Sequence, residues 1–174
     1  METRCHIAIM LTDERYGIYD HPDSNARQLR EAGFDASEAT FIPVLTPENL
    51  SLEATCSRYN EALRTAFAYA DVVIGQFGIG PDGHIAGILP HSSAVRARKL
   101  VAGYDAGNFI RITMTPPAFS HIGVAYAFAG GSTKHAALLS LQQKKLALSV
   151  QPAQILRRVA ESYIYNDQVE GESI

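Results

Sequence analysis

The chain has 174 residues, with 15 Lys and Arg against 18 Asp and Glu, giving a formal net charge of −3 with histidines neutral. At 47% hydrophobic and 19% charged it is ordinary globular protein, long enough for a single domain over residues 1–174 to bury a core without staples. A slightly acidic chain with no basic run offers no nucleic-acid footprint, and no stretch nears the about eighteen apolar residues of a membrane span. The opening METRCHIAIMLTDER lacks the layout of a secretion signal, which predicts a cytoplasmic protein. Cys5 and Cys56, without a CxxC, predict neither a disulfide framework nor a zinc knuckle.

In chain order, short apolar runs alternate with helical patterns, the signature of βαβ units and a largely parallel sheet. Residues 6–11 (HIAIML) predict a first buried strand. Ser24 is placed to cap a short helix to Ala32, which Gly33 stops. Residues 40–44 predict a second strand, and Ser51 opens a helix whose Leu52, Tyr59, Leu63, Phe67 and Ala70 recur at helical spacing. Residues 72–77 (VVIGQF) predict a buried, central-type strand running into the loop 78–84. Further strands are expected over 100–104, 111–115, 124–129 and 162–165, with a helix over 133–141.

Three segments carry candidate chemistry. In FGIGPDGH, Gly78, Gly80 and Gly83 fit GxGxxG, and Asp105 follows at a suitable distance for a dinucleotide fingerprint. Pro90 cuts short the helix that such a site needs, and Asp82 would repel a pyrophosphate, which argues against a nicotinamide cofactor. Asp82 and His84 instead read either as a carboxylate orienting a general base or as a surface turn with an incidental histidine. AGGSTK offers Ser132 as an N-cap and Lys134 in the first helical turn, either an anion cradle or an ordinary capped turn. Thr12-Asp-Glu-Arg15 places three charges after the first strand, where they must face solvent or a polar ligand, and Arg15 suits a phosphate. No GxSxG or GxxxxGK[ST] occurs, and the six histidines fall in no metal-ligand spacing.

Taken in order, these segments resemble one family. LTDERYGIYDHPDSN is similar to the acidic segment and Ser-Asn turn of the 6-phosphogluconolactonases, and FGIGPDGHIAGILP to their motif G-x-G-x-D-G-H-x-A-x-x-x-P. RITMTPPAF and AGGSTKHAAL are similar to the family's Arg-Ile-Thr strand and Lys-bearing turn, and the likeness runs from Ile7 to Asp167. The resemblance implies a three-layer, Rossmann-like, mostly parallel α/β sheet with flanking helices, shared with the glucosamine-6-phosphate deaminases. It implies hydrolysis of 6-phospho-D-glucono-1,5-lactone in the oxidative pentose phosphate pathway, with no cofactor and no metal. His84 would be the base and Asp82 its support. Arg15 and Lys134 would bind the phosphate of the sugar, with Arg111 a further contact, Asp13 holding Arg15 or touching hydroxyls, and Gly80 and Gly83 lining the turn.

Deaminases place a glutamate before the proline that ends the motif; here that position is Leu89, which follows the lactonase style. Family members also carry an upstream strand ending in a Ser-Gly-Gly-Ser-Thr-Pro turn, whereas this chain starts at the next strand. That departure leaves a truncated or non-catalytic sugar-phosphate-binding relative as the alternative, and predicts a homodimer that covers an exposed sheet edge.

Overall fold

The computed structural model describes residues 6–170, so Cys5 lies outside the described residues. Three small sheets organise the described residues. Strands β1 (Ala8–Met10) and β3 (Thr40–Ile42) pair in parallel, separated by β2 (Asp13–Arg15) and helix α1 (Asn25–Glu31). After helix α2 (Leu52–Tyr69) comes β4 (Ile74–Gly78), then the hairpin β5 (Val101–Asp105) and β6 (Ile110–Met114). The short helix α3 (Pro116–Phe119) precedes β7 (Val124–Ala129), α4 (His135–Gln143) and β8 (Glu161–Asn166). Strands β4, β7 and β8 form a parallel sheet in that order, and β2, β6 and β5 an antiparallel one.

The α/β class and the parallel pairing agree with the sequence reading; the antiparallel sheet is an addition to it. Two cores hold the pieces together. Phe77, Ile79, Ile85, Ile88, Leu138 and Ile155 belong to one, under the β4–β7 side. Tyr59 and Leu63 of α2 meet Val101, Ile112 and Met114 of the hairpin in the other. Each fully buried aliphatic side chain of this kind is worth roughly 1.5–3 kcal/mol against exposure. No helix among the described residues is long and apolar enough to cross a membrane.

Four local expectations are corrected. The first strand is short and half exposed, because among the described residues β3 is its only partner. The strand expected to be buried over 72–77 is β4, which alternates exposed and buried residues; Ile74 is 62% exposed. Rows across the sheet make one open face: Gln76, Tyr126 and Tyr163 form one row, and Gly78, Phe128 and Tyr165 the next. The rings stack there, with centroids 5.4 Å apart for Tyr126–Tyr163 and 5.2 Å for Phe128–Tyr165.

The segment Asp-Glu-Arg, with three charges expected to face solvent or a polar ligand, is strand β2, and Glu14 in its middle is wholly buried. Burial is tolerated because four donors meet the carboxylate: the Arg15, Asn25 and Ala26 N–H groups at 2.8, 2.5 and 3.0 Å, and the Ser24 hydroxyl at 3.0 Å. Ser24 in turn caps α1 by accepting the Arg27 N–H, as its position predicts. Ser132 caps nothing: a single 3₁₀ turn, Ser132–Lys134, intervenes before α4, and its preceding residue is Gly131.

Candidate functional site

Strands β4 and β7 are parallel neighbours, so the turns that follow them leave the sheet from the same end, the carboxyl end where open α/β sheets hold ligands. The turn after β4 is drawn tight by two backbone bonds, Gly80 N–H to the His84 carbonyl and Gly83 N–H to the Gly80 carbonyl, both 2.9 Å. Gly83 takes φ +80°. At Gly80 the need for glycine is close approach: a Cβ would lie 2.0 Å from His84 Nδ1 and 2.7 Å from Asp82 Oδ1.

The turn brings the two candidate residues together. Asp82 Oδ1 accepts the His84 backbone N–H at 3.1 Å and lies 2.7 Å from the ring Nδ1. An ionised carboxylate only accepts, so Nδ1 carries a proton, and in the neutral ring Nε2 is the nitrogen with the lone pair. Burial pushes the Asp82 carboxyl upward, but the His84 N–H, ring and charge together outweigh it and hold it below its ordinary value. The ring is partly open to solvent. A base with one nitrogen oriented and the other free can take a proton from water.

Behind this turn stands the antiparallel sheet. Asp13 is paired with Arg111, Oδ2 to Nη1 at 3.6 Å, rather than holding Arg15. Burial raises the Asp13 pKa; the charges of Arg111, Arg15 and His84 pull the other way without overcoming it. Arg15 and Arg111 are direct cross-strand partners, an arrangement that like charges disfavour unless an anion lies with them. Arg15 donates from Nη1 to the Asp23 carbonyl at 3.0 Å and lies 5.1 Å over the Phe109 ring. The Nε atoms of both arginines are buried without a partner among the described residues.

Lys134 sits at the close of the turn after β7, half buried. The Gly131 N–H, a donor the anion cradle would use, is taken by Asp167 Oδ1 at 2.9 Å. Hydrogen bonds from the Gln168 side chain and this N–H hold Asp167 below its ordinary pKa. Asp167 and three residues that brace His84 and the turn behind it were not singled out by the sequence. Tyr104 and Thr113 hold Gly87, three residues past His84, from β5 and β6, and the Gln151 side chain packs under Gly83. Cys56 is half buried, and burial raises its thiol to about 11, which leaves it unreactive.

Comparison with known proteins follows the same outline. The family model for glucosamine-6-phosphate isomerases/6-phosphogluconolactonase matches residues 3–165. A 6-phosphogluconolactonase of Synechocystis sp. is 31% identical over 182 residues, taking in 97% of this chain and 73% of the relative. One of Nostoc sp. is 34% identical over 146 residues, 76% of this chain and 58% of the relative, so the match spans less than two thirds of that protein. The crystal structure of a 6-phosphogluconolactonase from Thermotoga maritima superposes with a TM-score of 0.72 at 23% identity. It covers 90% of this chain and 71% of that one, and so shares the fold.

Proposed function

The chain belongs to the glucosamine-6-phosphate isomerase/6-phosphogluconolactonase family, and from that premise we propose that it hydrolyses 6-phosphogluconolactone to 6-phosphogluconate, in the cytoplasm, within the pentose phosphate pathway. The observation that carries this reading is the Asp82–His84 contact at 2.7 Å in a turn at the carboxyl end of the parallel sheet. His84 Nε2 removes a proton from a water molecule as the oxygen attacks the lactone carbonyl. Collapse of the tetrahedral adduct breaks the ring C–O bond, and the imidazolium returns its proton to the departing alkoxide. Asp82 holds the tautomer and steadies the imidazolium.

Lys134 and Arg15 bind the phosphate of the sugar, with Arg111 beside Arg15. Supporting this, both arginines keep a buried, unsatisfied Nε, and guanidinium groups suit phosphate. Asp13 fixes Arg111 and faces the sugar hydroxyls, while Gly80 and Gly83 line the turn and let it close tightly around Asp82 and His84. The test is hydrolysis of freshly generated lactone, coupled to 6-phosphogluconate dehydrogenase with the spontaneous rate subtracted. The expected result is acceleration that His84→Ala lowers by about 10²–10⁴; a folded wild-type chain with no acceleration refutes the reading.

A second copy of the chain is the partner we assign to the open side of the molecule. In support, among the described residues β1 and β4 each keep an edge without a partner strand, and Ile74, Phe128, Tyr163 and Tyr165 are exposed; parallel sheets are ordinarily covered on both faces. Four such side chains, on the order of 100 Å² each, supply about half of the roughly 800 Å² per partner of a standard interface. A well-folded monomer at micromolar concentration by light scattering refutes the assignment.

A further inference from the structure

The turn behind His84 does not stand on its own backbone. Ile85 and Ile88 form a tight bridge, closed by the Ile88 N–H on the Ile85 carbonyl at 3.0 Å. Inside it Ala86 is held at φ +51°, a conformation that a residue with a Cβ rarely adopts. Local propensity therefore opposes the turn, and something outside it must hold it. The next residue, Gly87, is buried, and a buried peptide group needs partners at both ends.

Two side chains from the antiparallel sheet provide them. The Gly87 N–H donates to Thr113 Oγ1 at 3.0 Å, and the Gly87 carbonyl accepts the Tyr104 hydroxyl at 2.6 Å. The same phenol oxygen accepts the Leu89 N–H at 3.3 Å. So little space separates the turn from β2 and β6 that a Cβ on Gly87 would lie 2.9 Å from the Cβ atoms of both Asp13 and Thr113. Burial keeps the Tyr104 phenol above its ordinary pKa, so it stays a donor at neutral pH.

We propose that Tyr104 is a positioning residue. Its hydroxyl, bonded to the Gly87 carbonyl and the Leu89 N–H, clamps the strained turn behind His84 onto the sheet that carries Asp13, Arg15 and Arg111. It thereby sets the base against the basic cluster. The role rests on the hydrolase reading above, and the test keeps the two separable. Tyr104→Phe removes one oxygen and leaves the ring in the core. The expected result is a kcat lowered about tenfold with KM within about twofold. The ¹⁵N signals of the His84 ring should also move from a single Nδ1–H tautomer towards a mixture.

Thr113→Val, which removes the partner of the Gly87 N–H, moves both readouts the same way and serves in place of Tyr104→Phe if that variant does not fold. Where the wild-type chain hydrolyses lactone, an unchanged His84 spectrum or an unchanged kcat overturns the proposal. Where it does not, the hydrolase reading fails, and the His84 spectrum alone decides: a shifted spectrum upholds the clamp and an unchanged one overturns it.

Discussion

Replacing Glu14 by glutamine tests whether β2 is held by its buried carboxylate. Glu14 is wholly buried and accepts four hydrogen bonds, two at each oxygen. An amide keeps one acceptor oxygen and turns an NH₂ towards donors. Whichever way it is flipped, the Ala26 N–H and the Ser24 hydroxyl, or the Arg15 and Asn25 N–H groups, lose their acceptor. The Ser24 hydroxyl can rotate away, so the orientation that spares the Arg15 and Asn25 N–H groups costs less. One stranded, partly buried N–H, the lost Ser24 bond and two weakened charge-assisted bonds then amount to about 3 kcal/mol. For a chain of this size that lowers Tm by about 6–12 °C. Thermal unfolding followed by far-UV circular dichroism measures it, with Glu31→Gln as the control, since the Glu31–Arg27 ion pair is exposed and should hardly matter. A Glu14→Gln chain melting within about 2 °C of wild type would refute the reasoning, because the four contacts would then carry no net stabilisation.

Three further outcomes are expected. Gly80→Ala puts a methyl group where the His84 ring now lies, so kcat should fall by about a hundredfold with an unchanged circular dichroism spectrum; retention of activity would show that the ring is free to move. Asp13 has a pKa raised chiefly by burial, so its ionised form is disfavoured in the folded chain. Its contribution to stability is present below the ordinary carboxylate pKa and lost as pH rises through the folded value. Asp13→Asn should therefore melt higher than wild type at pH 7, with the advantage shrinking as pH falls towards 4, while lactone turnover drops; a lower Tm at pH 7 sinks the argument. Asp167→Asn keeps an acceptor for the Gly131 N–H but removes a negative charge from the start of the turn that carries Lys134, so KM should fall about two- to threefold at low salt and the difference vanish at high salt. An identical KM at both salt concentrations would separate Asp167 from phosphate binding.

What the sequence made legible was local. Asp82, His84 and the glycines around them lie within five residues, so the hydrogen bonds that shape the turn close inside the motif itself. The Ser24 cap is equally short-ranged. What stayed hidden depends on contacts between distant segments. Nothing in Asp-Glu-Arg distinguishes a solvated loop from a strand whose central carboxylate is met by a helix start ten residues on. Tyr104 and Thr113 read as ordinary strand residues, because their roles depend on a turn that lies 17 and 26 residues away. The apolar run in β4 was equally silent about which face is covered, since periodicity cannot distinguish a strand buried on both sides from one awaiting a neighbour. The division is physical. A catalytic turn needs its reactive groups adjacent, so it is written contiguously. The groups that hold such a turn still must come from elsewhere in the fold, where they add restraint without crowding the reacting atoms.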